Sequence, residues 1–175
     1  MLFRSGLTPL EGIMMGTRSG DFDPAILFYL ADRGYTTAQL NNLCNKQSGL
    51  LGISGQSNDM RNIVSLAKGG DARAQLAIDI FCYRIKKYIG AYTAVLGRVD
   101  ALVFTGGIGE NRPEIRAKAC ENIDVCGFSL DTEKNTSGAA EREIQSSTSR
   151  SKIFIIPTDE EAAIASDTFE IVSKG

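Results

Sequence analysis

Three glycines within four positions follow an apolar run in DALVFTGGIGENRPEI, residues 100–115, and they are Gly106, Gly107 and Gly109. Glycine can adopt positive φ and lets a ligand approach the main chain, because no Cβ lies in the way. In an open parallel sheet, ligands bind beyond the carboxyl ends of the strands, where such loops lead into helices. The stretch therefore indicates a phosphate or nucleotide contact.

The residues after these glycines agree with that interpretation but do not require it. Asn111 can cap a helix with Glu114 three residues on, and free N–H groups at a helix start suit an anion. The dinucleotide fingerprint GxGxxG is not met, since Arg112 takes its third glycine position, and the phosphate loop GxxxxGKS/T is absent. A strand-to-helix turn that needs glycine only for its own geometry is the alternative.

A second apolar run ends in three consecutive carboxylates, in IFIIPTDEEAAIA, residues 153–165. Thr158 and Glu161 have the spacing of a capping box, and acids in a first helical turn are stabilised by about 0.3–1 kcal/mol each. The alternative is chemical. If the two apolar runs are neighbouring strands, Glu160 lies beside the glycine loop, where a carboxylate and a phosphate can share a Mg²⁺.

The opening segment, residues 8–24, surrounds a lone arginine, Arg18, with glycines. An arginine in such a loop can present its planar fork to a carboxylate or a phosphoryl group. A local ion pair with Asp21 or Asp23 is the simpler interpretation. In the same way, Asp59 and Arg61 in SNDMRN have the pattern of a solvated first helical turn, capped by a preceding residue.

The elements that must position these residues follow from periodicity and from helix-stop signals. The first half of the chain predicts four helices, and the second half predicts a strand, a helix, a strand and a terminal helix. Such a βαβα unit implies a parallel strand pair and an α/β class. The predicted helices cover residues 23–34, 36–49, 57–70, 71–97, 113–122 and 159–172, the buried strands residues 101–104 and 153–156, a short edge strand residues 127–131, and an exposed polar excursion residues 133–152.

Composition excludes several classes of function. With 19 basic and 21 acidic residues the formal net charge is −2, so we expect neither nucleic acid nor a membrane surface as a partner. No apolar run approaches the roughly 20 residues that cross a bilayer. The chain has no histidine, which excludes Ser-His-Asp and Cys-His catalysis within it, and its four cysteines form no CxxC pair. We expect a cytoplasmic location with reduced thiols.

Four stretches, taken together, resemble the carboxyl-terminal half of the acetate kinases (the acetokinase family). They are GLTPLEGIMMGTRSGDFDP, SGLLGISGQSNDMR, VFTGGIGENRPEIR and IPTDEEAAIA, in that order. The resemblance implies a ribonuclease H-like domain of the acetate and sugar kinase, Hsp70 and actin superfamily. We therefore expect an α/β fold with a mixed sheet, flanking helices and a helix-rich first half.

The resemblance also implies reversible transfer of the γ-phosphoryl group of ATP to acetate, giving acetyl phosphate and ADP, with Mg²⁺ or Mn²⁺. By motif, Arg18 corresponds to the catalytic arginine and Glu160 to the metal ligand. Where this chain has Asp159, the family more often has asparagine. The residues that correspond to nucleotide-binding positions are Asp59, Met60, Arg61, Gly106, Gly107, Ile108, Gly109 and Glu110.

The family's amino-terminal half, with its active-site histidine, does not correspond to anything in this chain. We therefore expect residues 6–175 to form the carboxyl-terminal nucleotide-binding domain, inactive alone, and residues 1–5 to be a non-native start. Family members also pair through this half, so a homodimer is expected. Two alternatives stay open: a fragment of a propionate or other short-chain carboxylate kinase, and a nucleotide-binding self-association module without activity.

Overall fold

The computed structural model describes residues 6–173, and it divides after Val95 into two compact units. The predicted non-native start, residues 1–5, lies outside the described residues. The first unit is helical, as the sequence predicts. Its helices are α1 (Ala25–Ala31), α2 (Thr37–Lys46), α3 (Gly49–Ser54), α4 (Met60–Lys68) and α5 (Ala72–Leu96), the last of which ends one residue beyond the division.

Side chains cap α2 and α4 in the first unit, and the cap of α4 differs from the prediction. Thr36 caps α2 in a capping box with Gln39. For α4 the cap is Asp59, whose carboxylate accepts from the main-chain N–H of Arg61, and not Ser57 or Asn58. The hydroxyl of Ser57 instead accepts from the N–H of Asp59 at 3.1 Å, so it orders the turn just before the helix.

The sequence did not predict α3, and this omission moved one helix boundary. Gly49 was expected to end α2, but α2 ends at Lys46, and Gly49 begins α3 with φ of +63°. Six residues with two glycines carry too little periodicity to be recognised as a helix from sequence.

The long helix α5 buries only part of the predicted apolar stripe, in which Phe81 is buried. The predicted stripe included Leu76, Tyr92 and Leu96, which are about half exposed or more. A helix with apolar residues on several faces has no single stripe that periodicity can select, and small alanines let it approach its neighbours closely. The residues it buries are Ala74, Ala77, Ile78, Phe81 and Cys82.

The second unit holds a three-stranded mixed sheet in the order β1-β3-β2. The strands are β1 (Ala101–Phe104), β2 (Arg142–Glu143) and β3 (Lys152–Ile155). As predicted, β1 and β3 are parallel neighbours, and Phe104 is paired with Ile155 at their carboxyl ends. Strand β2 pairs antiparallel with β3. The helices of this unit are α6 (Gly106–Asn111), α7 (Pro113–Ala119), α8 (Thr132–Thr136) and α9 (Glu160–Ser173), with a 3₁₀ turn at Asp124–Cys126.

The predicted polar excursion, residues 133–152, is structured. It contributes the end of α8 and strand β2, and it buries Asn135 and Ile144 almost completely. The edge strand predicted at residues 127–131 is reduced to a single bridge between Leu130 and Gln145. The polar composition of residues 133–152 suggested an exposed segment. The prediction was wrong because buried hydrogen bonds to Asn135 hold these residues in place. Within the described residues, no helix is long and apolar enough to cross a membrane.

Candidate functional site

The loop that carries Arg18 is anchored on α2 and α3 by main-chain hydrogen bonds. The N–H of Ser48 donates to the carbonyl of Thr17 at 3.0 Å, and the N–H of Leu51 donates to the carbonyl of Gly16 at 2.9 Å. The N–H of Ser19 donates to the carbonyl of Cys44 at 3.0 Å. The main chain on both sides of Arg18 is therefore fixed, and its side chain extends from a rigid base.

The side chain of Arg18 is half-buried, and it does not make the local ion pair that was considered. Its Nη1 lies 3.7 Å from the sulfur of Met15, and among residues 6–173 it forms no salt bridge. Asp21 and Asp23 are engaged elsewhere, since Asp23 accepts from the N–H of Ala25 at the start of α1. The guanidinium thus keeps its hydrogen-bonding capacity for another carboxylate or phosphoryl group.

Asp21 holds the far end of the same loop. Its carboxylate accepts from the N–H of Gly12 at 2.6 Å and from the hydroxyl of Tyr88 on α5. Partial burial alone would favour the neutral acid, but these hydrogen bonds and the charge of Arg84 outweigh it and lower the pKa of Asp21. The same hydrogen bond raises the pKa of Tyr88 to about 12. Sequence analysis missed Tyr88, because the pair is 67 residues apart in the chain.

The NDMR segment lies against the Arg18 loop within the first unit. A Cβ on Gly16 would be 2.9 Å from the main-chain oxygen of Asn58, so only glycine permits this approach. Asp59 pairs with Arg61 at 2.5 Å, and the Arg61 side chain is 74% exposed. Met60 is buried. The structure therefore brings Arg18 and Asp59 to one region, with Met60 packed into the core rather than presented at the surface.

The glycine stretch is a short helix rather than the predicted loop. Strand β1 ends at Phe104, and α6 begins with Gly106, whose φ of +72° requires glycine. Gly107 is exposed, and a Cβ on either glycine would meet no atom within 4 Å. Asn111 does not cap the next helix, because its side-chain amide donates to the carbonyl of Gly107 at 3.0 Å. The main chain at this turn is thus open on one side.

Glu110 connects the turn after β1 with the turn after β3. One of its oxygens accepts from the N–H of Gly106 at 2.7 Å, the N–H of Thr158 at 2.9 Å and the hydroxyl of Thr158 at 3.1 Å. These hydrogen bonds, the Thr158 N–H first, lower the pKa of Glu110. The glycine stretch and the PTDEE turn therefore lie next to each other, as the sequence predicted.

Arg116 supports the glycine helix from the interior. Its side chain is buried, and its Nη1 donates to the carbonyls of Gly109 and Glu110 at 2.7 and 2.8 Å. Its Nε and Nη2 donate to the side-chain and main-chain oxygens of Asn135 at 2.7 and 2.6 Å. Burial lowers the pKa of Arg116 to about 10, which leaves it charged at neutral pH. No local pattern in the sequence distinguishes Arg116 from an exposed helical arginine, because its partner Asn135 is 19 residues away.

The carboxylate turn begins α9. Asp159 caps this helix by accepting from the N–H of Ala162 at 2.9 Å, so the capping box predicted for Thr158 and Glu161 is wrong. Thr158 is not the cap, and its hydroxyl donates to Glu110 instead. Glu160 is the first residue of α9, and its side chain lies outside the described residues. Among the side chains that are described, no three His, Cys, Asp or Glu residues cluster as a metal site.

The candidate residues fall into two groups, one in each unit. In the first unit, Arg18 lies in the loop whose Gly16 packs against Asn58, the residue before Asp59. In the second, residues 106–110 and 158–160 follow the ends of parallel neighbours and are joined through Glu110. The second arrangement matches the position in which α/β sheets bind ligands.

Comparison with protein families identifies the relatives of the chain. The acetokinase family matches residues 4–166. An acetate kinase of Oleidesulfovibrio alaskensis is 56% identical over 162 residues, which are 91% of this chain and 40% of that protein. An acetate kinase of Halothermothrix orenii is 52% identical over 168 residues, 95% of this chain and 42% of that protein. The chain thus spans about two fifths of the length of the curated relatives it matches.

Solved structures show the same relationship. The Porphyromonas gingivalis acetate kinase is similar with a TM-score of 0.88 and 48% identity, over 95% of this chain and 42% of that one. A propionate kinase of Francisella tularensis is similar with a TM-score of 0.83 and 47% identity, over 89% of this chain and 40% of that one. The fold is therefore the α/β fold of these kinases, as the sequence predicted. The family match and the identities together establish that the chain belongs to the acetokinase family.

Proposed function

We propose that residues 6–175 are the nucleotide-binding and metal-binding part of a kinase that reversibly transfers the γ-phosphoryl group of ATP to acetate. The products are acetyl phosphate and ADP. Membership of the acetokinase family and about 50% identity to proteins named acetate kinase support this proposal. A similar structure is named a propionate kinase, so another short-chain carboxylate is the alternative acceptor.

Gly107 is the observation on which the nucleotide-binding role depends. It lies in a helix, it is exposed, and no atom would contact a Cβ there. Alanine in a helix is more stable than glycine by roughly 0.8–1 kcal/mol, so the fold itself favours alanine at this position. A ligand that approaches the main chain closely explains the glycine. We assign that ligand as ATP or ADP, bound by Gly106, Gly107, Ile108 and Gly109. For Asp59 and Arg61 a nucleotide-binding role stays a prediction that rests on the family resemblance, and the burial of Met60 argues against a direct contact by its side chain.

Arg18 is the catalytic residue of this proposal. Phosphoryl transfer requires positioning and the neutralisation of charge on the transferred group, and a planar guanidinium with its donors available meets both needs. The anchored main chain around Arg18 supports the role, because an arginine on a rigid base loses less freedom when it binds. Its targets are the substrate carboxylate and the phosphoryl oxygens.

A divalent cation fits the carboxylate turn. Mg²⁺ binds through one or two carboxylates together with substrate phosphates, so a cluster of three protein ligands is not needed. Asp159 caps α9, and Glu160, which corresponds by motif to the metal ligand of the family, is the candidate ligand for Mg²⁺ or Mn²⁺. When bound, the cation would shield the charge of the β- and γ-phosphates. The hydrogen bond between Thr158 and Glu110 holds the carboxylate turn beside the glycine helix, so that a cation there would lie near the phosphates.

Activity of the chain alone is not part of the proposal. The chain spans about two fifths of its curated relatives, and the histidine that the family resemblance implies is not among its residues. We propose that nucleotide binding belongs to this chain and that phosphoryl transfer needs the remaining part of such a kinase. A cytoplasmic location stays a prediction.

A homodimer is a second proposal, and the exposed apolar side chains of α5 support it. Leu76, Tyr83, Tyr92 and Val95 on this helix are each about half exposed or more. Light scattering on the purified chain, with and without nucleotide, tests the pairing. The variant Tyr92→Glu should shift a dimer towards the monomer, and an unmodified chain that is monomeric at all concentrations would contradict this proposal.

Calorimetric titration with Mg-ADP tests the nucleotide-binding role. The unmodified chain should bind, and Glu160→Gln should weaken Mg-ADP by about tenfold or more, because a charged ligand of the cation is lost. Glu161→Gln is the matched control, since it changes the neighbouring carboxylate in the same turn. No binding by the unmodified chain, or equal losses in the two variants, would contradict the proposed site.

A further inference from the structure

Glu110 connects the two turns of the candidate site by hydrogen bonds. A single carboxylate oxygen accepts three hydrogen bonds, one from Gly106 and two from Thr158. Gly106 begins the glycine helix, and Thr158 lies two residues before the proposed metal ligand Glu160. Hydrogen bonds to an ionised acceptor are roughly twice as strong as neutral ones. The contact therefore joins the two turns with more strength than a loop-to-loop contact between neutral groups.

The direction of this side chain argues against direct contact between Glu110 and a nucleotide. Its Oε1 is occupied by protein donors in both turns. A carboxylate turned towards phosphates would also repel them, since like charges a few ångströms apart are unfavourable. A carboxylate beside a phosphate site can favour phosphate binding in two ways. It can bind a cation itself, or it can position the protein residues that bind the cation. The observed hydrogen bonds correspond to the second.

We propose that Glu110 is a positioning residue that acts through Thr158. It sets the place of residues 156–160 relative to residues 105–109, so that the anchor of the nucleotide and the anchor of its cation keep a constant separation. This inference rests on the proposed function of the two turns. Geometry of this kind matters because a displacement of about 1 Å at a catalytic group can cost on the order of a hundredfold in rate.

A carboxylate with the length of glutamate is required for this role. Glutamine has one neutral oxygen of similar reach, so it keeps the shape and loses the charge. Aspartate keeps the charge but is one methylene shorter, and it cannot span from α6 to Thr158 with the main chain in place. Both changes should loosen the turn, and glutamine is the milder of the two because its size is unchanged.

Amide hydrogen exchange of the whole chain tests the positioning role without any nucleotide. In Glu110→Gln the protection of the Thr158 amide should fall by about tenfold, the order expected when a charge-assisted hydrogen bond is replaced by a neutral one. Protection should be unchanged in the control Glu121→Gln, whose glutamate is exposed in the same unit. Equal protection of the Thr158 amide in the unmodified chain and in Glu110→Gln would overturn the inference.

A double-mutant comparison of Mg-ADP affinity separates positioning from direct contact. Thr158→Val removes one of the two hydrogen bonds from Thr158 and should weaken binding by a smaller factor than Glu110→Gln. If Glu110 acts through Thr158, the double variant binds no more weakly than Glu110→Gln alone. Losses that multiply, or an unaffected Thr158→Val, would overturn the inference. Failure of the unmodified chain to bind would contradict the proposed function instead, and the exchange measurement would still decide the role of Glu110.

Discussion

The hydroxyl of Tyr88 on α5 donates a hydrogen bond to the carboxylate of Asp21, three residues after Arg18. Arg84, one turn earlier on α5, donates to the main-chain carbonyl of Asp21. The carboxylate also accepts from the N–H of Gly12, at the start of the loop. Asp21 thus links the two ends of the Arg18 loop through Gly12, and it links the loop to α5 through Tyr88. Substitutions on this helix should therefore affect Arg18 although they do not touch it.

Tyr88→Phe should lower the free energy of unfolding by about 1.5–3 kcal/mol, because one hydrogen bond to a charged acceptor is lost. It should also increase the mobility of the Arg18 loop. Denaturant unfolding and amide exchange of residues 12–21 measure the two effects. Tyr92→Phe is the control, since Tyr92 is half exposed and packs near Tyr88 on the same helix. Equal destabilisation by the two variants would contradict the assigned role of the Tyr88 hydroxyl.

The Tyr88 contact should make stability fall at alkaline pH. The folded chain raises the pKa of Tyr88 from its ordinary value near 10 to about 12, so the folded state keeps this proton longer than the unfolded state. The contribution is present in full below about pH 10 and is lost as the pH rises to about 12. The stability difference between the unmodified chain and Tyr88→Phe should therefore shrink across that interval. A constant difference would show that the Tyr88 pKa is not raised.

Gly107→Ala should separate stability from ligand binding. The substitution should leave the free energy of unfolding equal or raise it by up to about 1 kcal/mol, because alanine favours a helix and nothing contacts its Cβ. The affinity for Mg-ADP should fall by about tenfold or more, because the methyl group blocks approach to the main chain. Gly90→Ala in α5 is the matched control, since Gly90 is also helical with open space around it. Unchanged affinity in Gly107→Ala would contradict the nucleotide contact.

Arg116→Lys should destabilise the second unit although the charge is kept. Lysine cannot make the four hydrogen bonds of the buried guanidinium, and we expect a loss of about 2–4 kcal/mol. Thermal unfolding measures this loss. Arg98→Lys is the control, because the Arg98 side chain is 88% exposed. Similar melting temperatures for the two variants would mean that the Arg116 network carries little of the stability.

The chain alone should form acetyl phosphate only at background rates. The proposed catalytic group and nucleotide-binding groups are present, but about three fifths of each curated relative has no counterpart here. A hydroxamate assay with acetate and Mg-ATP measures the product. Turnover of about 1–100 s⁻¹, which is ordinary for kinases, would contradict the expectation. The same assay with Arg18→Ala would then show whether that activity belongs to the proposed site.

Local patterns in the sequence were sufficient for most elements that carry the candidate site. The strands at residues 101–104 and 153–156 were predicted within one residue, because short apolar runs bounded by turn residues are characteristic of buried parallel strands. Their adjacency followed from the βαβα order, and the structure confirms it. Residues whose roles depend on packing were predicted less well, as the exposed Leu76, Tyr92 and Leu96 of α5 and the buried Asn135 show.

Hydrogen bonds between distant residues were beyond sequence analysis. Glu110 and Thr158 are 48 residues apart, and nothing in the periodicity of either segment relates them. In the same way, Asp59 caps α4, although Ser57 or Asn58 was expected to be the cap. Which of several neighbouring polar side chains caps a helix depends on the main-chain conformation at the helix start. The long-range partners of Asp21 and Arg116 were missed for this reason.

The sequence by itself determined the family resemblance, the order of β1, α7, β3 and α9, and the places of Gly107 and Glu160 after the two strands, because these depend on residue type and local spacing. Only the tertiary structure decided which polar groups meet. It joined Glu110 to Thr158 and placed Arg116 beneath the glycine helix. The physical reason is that a buried or charged group must find its hydrogen-bond partners wherever the fold brings them, and proximity in space is not encoded in any local pattern.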